Sequence, residues 1–288
     1  MHIARPSRTA LRVALRRAAH QLYDTPPLIF DDPVAVRILG TTYADELRRT
    51  PHPDADRKPR PFSVALRAFL VARSRYVEDE LGCAATKGVT QYVLLGAGLD
   101  TLAHRNPYRD LRVFEIDHPA TQHWKRDLLA RSNLPHPPGL TYVPVDFETE
   151  SLPIQLLRAG HNPALPTFFS WLGVLPYLTL PAFRATVAFI AAQPPGSVLV
   201  LDYSQPRRVL PPLEQLAHDS LAARVQLAGE PFQLFFTSAE IAAELADFAI
   251  IEDLGTPEIN ARYFADRTDT LKLRGSAGRL LTAWRSWL

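Results

Sequence analysis

The sequence is almost without cysteine: its 288 residues include Cys83 and no second one. A lone cysteine cannot close a disulfide within the chain, and it cannot supply a cluster of thiolate ligands for a metal. The nine histidines do not recur at the short spacings of metal ligands. We therefore expect a protein without a metal that belongs to a reducing compartment, the cytoplasm.

Long apolar runs are also missing. No stretch approaches the roughly 20 apolar residues of a membrane-spanning helix, so no membrane partner is expected. The basic N-terminal stretch does not resemble a secretory signal, since Arg12 and Arg17 interrupt its apolar residues. At helical spacing, Leu11, Leu15 and Leu22 share one face and the arginines another. This pattern predicts an amphipathic helix.

An excess of charge of one sign is absent as well. Lys and Arg number 32 against 30 Asp and Glu, which leaves a formal net charge of +2. This balance gives no electrostatic reason to expect a nucleic acid as the main partner. Hydrophobic residues make up 47% of the chain, enough to bury a large core.

From Thr90 onward, short apolar runs alternate with helical stretches. Five runs are nearly continuous in apolar residues, at 92–95, 112–116, 141–145, 167–171 and 197–201. Continuous apolar character is typical of buried parallel strands. Two later runs, 248–254 and 279–284, are expected to pair as an antiparallel hairpin at the sheet edge. The pattern predicts an α/β fold: a Rossmann-like, doubly wound, mostly parallel seven-stranded sheet with an antiparallel edge strand.

The first 88 residues have a helical pattern instead. Residues 62–81 fit one amphipathic helix, preceded by a charged, proline-rich segment at 51–61 that is expected to form a loop. The helix is predicted to bury Leu66, Phe69, Leu70, Val77 and Leu81. We therefore predict an N-terminal helical lid over residues 1–88 and a sheet domain over 89–288.

A glycine-rich turn follows the first predicted strand. Gly96, Ala97 and Gly98 come directly after it, and a glycine there lets a ligand approach the backbone closely. Nineteen residues after Gly98, the second strand ends at Asp117. Adjacent parallel strands end at the same edge of the sheet, where a carboxylate can bind the hydroxyls of a ribose.

Two observations favour S-adenosylmethionine over a dinucleotide. Dinucleotide sites use a third glycine, and Thr101 occupies that position. S-adenosylmethionine has no phosphate and does not need the close helix approach. Its amino-acid end would lie against the glycine turn and its ribose on Asp117, while Asp146 and Phe147, after the third strand, would contact the adenine.

The sequence resembles the leucine carboxyl methyltransferase-like family of S-adenosylmethionine-dependent methyltransferases, including its bacterial secondary-metabolism O-methyltransferases. Seven segments in the same order carry the resemblance: DDP at 31–33, ARSRY at 72–76, LLGAGLDT at 94–101, VFEIDHP at 113–119, VDF at 145–147, SWLGVLPYL at 170–178 and GEPF at 229–232. The resemblance implies that Arg73 pairs with the cofactor carboxylate. Leu172 departs from members that have an acidic residue before the glycine of the fourth-strand segment, so no cofactor role is assigned to it.

The expected reaction is methylation of a small molecule on oxygen, at a carboxylate or a hydroxyl. Tyr177, after the fourth strand, is the candidate for contacting the acceptor. A hydroxyl acceptor would need a base such as His104 or His118. Glu115 is open as a second cofactor contact or a capping residue, and Asp202 is a weaker candidate for the acceptor pocket. Two alternatives stay open: an inactive cofactor-binding scaffold and an NAD(P)-dependent oxidoreductase.

Overall fold

The computed structural model describes residues 7–40, 61–147, 149–227, 231–248 and 250–285. The loop proposed for residues 51–61 lies outside these ranges except for Pro61, which begins a helix. In the part of the chain that is described, no helix is both long and apolar enough to cross a membrane.

A single sheet of seven strands organises the described residues. The strands are β1 (Gln91–Leu95), β2 (Arg112–Asp117), β3 (Leu140–Pro144), β4 (Thr167–Trp171), β5 (Val198–Ser204), β6 (Ile250–Leu254) and β7 (Gly278–Trp284). They lie in the order β3-β2-β1-β4-β5-β7-β6, with β1 to β5 parallel and β7 antiparallel to both β5 and β6. The predicted mostly parallel, Rossmann-like sheet is confirmed, as is the antiparallel pairing of the two last strands. The antiparallel strand β7 lies one position inside the edge strand β6.

Helices cover both faces of this sheet. They are α1 (Arg8–Tyr23), α2 (Pro33–Ile38), α3 (Pro61–Thr86), α4 (Pro119–Arg131), α5 (Leu152–Arg158), α6 (Leu180–Ala191), α7 (Pro212–Leu227), α8 (Ser238–Glu244) and α9 (Thr256–Tyr263). Strand residues alternate between two apolar clusters: Tyr92 and Leu94 of β1 pack with α3, whereas Val93 and Leu95 pack on the opposite face. This alternation follows from the two-residue period of a strand.

The long helix α3 extends the predicted helix at both ends. Leu70, Val77 and Leu81 are buried, as predicted, and Phe69 is partly buried. The prediction for Leu66 is wrong, since that side chain is 37% exposed. Small residues such as Ala68 occupy the buried face instead, which allows the helix to approach the sheet closely.

The predicted N-terminal helix is α1, which begins at the Ser7 cap, where the hydroxyl accepts a hydrogen bond from the Ala10 amide at 3.2 Å. It packs on α2 and α3. The leucine face is only partly buried, because Ala14 and Ala18 lie at the centre of the contact. Arg17 is also buried, so the expectation that the arginines occupy the other face is wrong at this position.

Candidate functional site

A cavity of about 550 Å³ opens at the carboxyl ends of β1, β2 and β4. Eight residues were the main candidates for contacting the cofactor or the acceptor, and those in the cavity wall are Arg73, Gly96, Ala97, Gly98, Asp117, Phe147 and Tyr177. Asp146 is not in the wall; it follows β3 in a turn where its amide donates to the Glu150 carboxylate at 2.9 Å. The structure therefore brings seven of the eight candidates to one cavity, while their contacts with a ligand stay predictions.

Two parts of the chain pack against the glycine turn. Gly96 and Gly98 have φ angles of +72° and +50°, in the left-handed region that favours glycine. The amides of Gly96 and Ala97 both donate to the Ile116 carbonyl of β2 at 2.9 Å. A Cβ on Gly96 would lie 2.3 Å from Cγ2 of Val174, and one on Gly98 would lie 3.2 Å from Cβ of Ala10. Helix α1 thus packs directly on the turn.

Replacing Gly96 with alanine is expected to destabilise the fold and to weaken cofactor binding. The left-handed backbone costs about 1–3 kcal/mol for a residue with a Cβ, and the collision with Val174 adds to it. Gly88→Ala is the matched control, because Gly88 has a φ of +88° and nothing within 4 Å of an added Cβ. Denaturant titration should show the larger loss for Gly96→Ala; equal losses would mean that the collision is relieved without cost.

Asp117 reaches from the end of β2 to the glycine turn. One carboxylate oxygen accepts the Gly98 amide at 2.5 Å and the other accepts the His118 amide at 2.7 Å. Burial raises the pKa of Asp117, and the two amides and nearby Lys125 oppose that rise. The prediction that the glycine turn and Asp117 lie side by side is confirmed. The Asp117 carboxylate, beside the turn, can accept hydrogen bonds from the hydroxyls of a ribose.

Arg73 enters the cavity wall from α3. Its Nη1 donates to Oδ2 of Asp202 at 2.7 Å, and both side chains are nearly buried. The Gly173 amide, after β4, donates to the other oxygen of Asp202. Asp202 lies in β5 and, unlike Arg73, is not among the residues of the cavity wall, so the cavity gives no support to its suggested place in the acceptor pocket. The two residues of the ion pair are 129 positions apart. The sequence singled out both residues but gave no sign that they pair.

Thr101 has a role that the sequence did not reveal. Its buried hydroxyl donates to Asp32 at 2.7 Å and accepts from Nη2 of Arg17 at 2.6 Å. Nε of Arg17 donates to Asp32 at 2.9 Å, and the Arg105 guanidinium lies 3.1 Å from the same carboxylate. The residue that replaces a third glycine therefore ties α1 and the DDP segment to the glycine turn.

Three other titratable candidates are His104, His118 and Glu115. Burial, with Lys125 nearby, lowers the pKa of His104 to about 4, and His104 is outside the cavity wall. His118 is in the wall, but its Nδ1 accepts the Ala120 amide at 3.1 Å. Glu115 forms a buried ion pair with Lys125 of α4 at 2.6 Å. It therefore makes neither the cofactor contact nor the cap considered for it.

Tyr177 lines the cavity beside α1 and packs against a second aromatic ring. The Tyr177 hydroxyl lies 3.5 Å from the Thr9 hydroxyl, and its ring centroid lies 5.5 Å from that of Phe232. The Gln233 amide donates to the Pro176 carbonyl at 2.6 Å, which holds Gln233 beside Tyr177. Pro231 and Gln233 also line the cavity. Of the GEPF segment, Gly229 and Glu230 lie outside the described residues.

The Rossmann-like sheet, with the glycine turn and Asp117 at one cavity, is the arrangement expected of a methyltransferase that depends on S-adenosylmethionine. The family described as "Leucine carboxyl methyltransferase" matches residues 10–191, and the chain belongs to this family. The family match favours the methyltransferase over the oxidoreductase alternative.

Curated relatives carry methyltransferase names, and a solved structure shares the fold. A Bacillus subtilis protein named "Putative S-adenosyl-L-methionine-dependent methyltransferase YktD" is 33% identical over 92% of this chain and 93% of its own. A similarly named Parafrankia protein, Franean1_4929, is 34% identical over 73% of this chain and 69% of its own. A crystal structure of a "putative methyltransferase" from Thermobifida fusca superposes with a TM-score of 0.60, at 19% identity over 99% and 97% of the two chains. At that identity the superposition shows the fold alone.

Proposed function

We propose that the protein transfers the methyl group of S-adenosylmethionine to an oxygen atom of a small molecule, a carboxylate in preference to a hydroxyl. The observation that carries the proposal is one cavity whose wall includes both the cofactor candidates and Tyr177. Methyl transfer from sulfur is an in-line displacement, which requires chiefly alignment and the exclusion of water.

The residues of the cavity fit this cofactor. Gly96 and Gly98 form a turn that lines the cavity, Asp117 offers a carboxylate to the ribose, and Arg73 offers a planar cation to the methionine carboxylate. When bound, S-adenosylmethionine supplies a methyl group activated by a sulfonium leaving group. Helix α1 lies against the turn, with Ala10 next to Gly98, which supports the expected lid role of the N-terminal helices.

The choice between acceptors depends on the need for a base. A hydroxyl must lose a proton as it is methylated, whereas a carboxylate is already ionised at neutral pH. The two histidines considered as bases are poorly placed: His104 lies outside the cavity wall and the Nδ1 of His118 is occupied by a backbone amide. Both observations favour a carboxylate, with the Tyr177 hydroxyl donating a hydrogen bond that orients it.

Titration calorimetry tests the cofactor. We expect S-adenosylhomocysteine to bind the wild-type protein with micromolar affinity, NAD not to bind, and Asp117→Asn to weaken the binding by about tenfold or more, because a hydrogen bond to a charged group is lost. Absence of S-adenosylhomocysteine binding would contradict the proposal.

A panel of small carboxylic acids and matched alcohols and phenols, assayed with methyl-labelled cofactor, tests the acceptor. Mild alkali releases labelled methanol from a methyl ester and leaves a methyl ether intact, so alkali-labile label is the expected result. Tyr177→Phe should lower kcat/KM for the acceptor by about tenfold or more, while S-adenosylhomocysteine affinity is retained. Alkali-stable product would assign the acceptor to the hydroxyl class, and cofactor binding without transfer to any acceptor would favour a scaffold.

A further inference from the structure

The guanidinium of Arg73 is held by Asp202 of β5, which is itself held by Gly173 in the turn after β4. Arg73 projects from α3, and its side chain is 8% exposed although it belongs to the cavity wall. Nη1 donates to Oδ2 of Asp202 in β5 at 2.7 Å. Asp202 is not among the residues of the wall, so its carboxylate contacts the arginine without itself lining the cavity.

Gly173, in the turn after β4, contacts both members of this pair. Its amide donates to Oδ1 of Asp202, so the two carboxylate oxygens have different partners, a backbone amide and a guanidinium. A Cβ on Gly173 would lie 3.0 Å from both Nη1 and Nη2 of Arg73, and its φ is +69°. A glycine at this turn therefore leaves room for the guanidinium and brings its own amide to the carboxylate.

We propose that Asp202 is a positioning residue that orients Arg73 toward the carboxylate of the methionine end of the cofactor. The inference rests on the proposed function, since it needs S-adenosylmethionine in this cavity. A guanidinium has five N–H donors in one plane, and it binds a carboxylate best when that plane is fixed. Asp202 accepts a hydrogen bond from Nη1 of Arg73 and thereby fixes the plane of the guanidinium. The remaining N–H donors of Arg73 can then bind the ligand carboxylate.

A simpler role for Asp202 would be to neutralise the charge of Arg73. The two roles predict opposite effects of Asp202→Asn. If Asp202 only neutralises charge, its removal leaves Arg73 more attractive to an anion, and ligands with a carboxylate bind as well or more tightly. If Asp202 orients Arg73, the same ligands bind less tightly. Asparagine keeps an oxygen for the Gly173 amide, so this substitution preserves the turn.

The test compares S-adenosylhomocysteine with 5′-methylthioadenosine, which has the same adenosine and thioether but no amino-acid end. We expect Asp202→Asn to raise the Kd of S-adenosylhomocysteine by about tenfold or more and to leave the Kd of 5′-methylthioadenosine within about twofold. Arg73→Met should show the same selectivity, and adding Asp202→Asn to it should cause no further loss, because the two residues then act as one unit. Asp117→Asn, which affects the ribose, should weaken both ligands alike.

Equal weakening of both ligands by Asp202→Asn would show a merely structural role and overturn the inference. Unchanged or tighter binding of S-adenosylhomocysteine would overturn it in favour of charge neutralisation. Failure of the wild-type protein to bind S-adenosylhomocysteine is a separate result, which contradicts the proposed function and with it this role for Arg73.

Discussion

Replacing Asp32 with alanine is expected to lower the free energy of unfolding by about 3–5 kcal/mol, because it removes one partner from a buried ion pair. The Asp32 carboxylate is fully buried and accepts hydrogen bonds from Arg17, from the Thr101 hydroxyl at 2.7 Å and from the Ala35 amide at 3.1 Å. Without it, the Arg17 guanidinium stays buried beside α2 and lacks its principal counter-charge. Denaturant titration at neutral pH measures the loss.

Asp31→Ala is the matched control, since it removes the same charge from the neighbouring, exposed position and should change stability little. Burial alone would raise the pKa of Asp32, but the charges of Arg17 and Arg105 and the Thr101 hydroxyl hold it below its ordinary value. The stability from Asp32 is therefore present above about pH 4 and is lost as the pH falls through the lowered pKa. The difference between wild type and Asp32→Ala should narrow in that acidic range; a constant difference would contradict this account.

A comparable loss, about 3–5 kcal/mol, is expected for Glu115→Leu, because it leaves the Lys125 ammonium buried without its carboxylate. Both side chains are fully buried, and the ion pair joins β2 to α4. The double variant Glu115→Leu with Lys125→Met should recover most of the stability, since apolar side chains of similar size can replace a buried pair. A double variant as unstable as the single one would mean that packing, not the stranded charge, causes the loss.

The same pair predicts how stability depends on pH. Burial raises the pKa of Glu115 to about 7, although Lys125 opposes the rise. Since the ordinary pKa of a glutamate is about 4.3, the folded protein binds more protons than the unfolded chain between these values. The contribution of Glu115 to stability therefore falls as the pH rises from about 4.3 to 7. The double variant should lack this slope, and an identical slope in both proteins would assign it to other groups.

Strand positions were predictable because short, continuous apolar runs between helical stretches are typical of strands buried on both faces. The fourth strand was placed at its observed bounds, 167–171. Failures arose where tertiary contacts override the local pattern. Leu66 fits the apolar stripe of α3 and yet is exposed, and Arg17 fits a solvated face and yet is buried against two aspartates.

The candidate site was predictable where residues of the expected chemical type follow neighbouring strands at a characteristic spacing. The glycine turn and Asp117 are 19 residues apart and meet because parallel neighbours end at one edge of the sheet. The Arg73–Asp202 pair spans 129 positions, so no local pattern could connect its members. From the sequence, Thr101 could be interpreted only as the absence of a third glycine. Its hydrogen bond to Asp32 could not be predicted, because it depends on how α1 and α2 pack against the glycine turn.

The place of β7 in the sheet has a consequence for the order in which the chain assembles during translation. β6 leaves the ribosome before β7, yet its only sheet neighbour among the described strands is β7. Until residues 278–284 emerge, β5 therefore presents an open edge and β6 has no strand to pair with, a state in which nascent chains tend to associate wrongly. The arrival of β7 also brings the Thr282 hydroxyl to within 2.6 Å of the Tyr76 hydroxyl, on the same helix as Arg73. We expect the cavity to reach its final form only after this last strand has been synthesised.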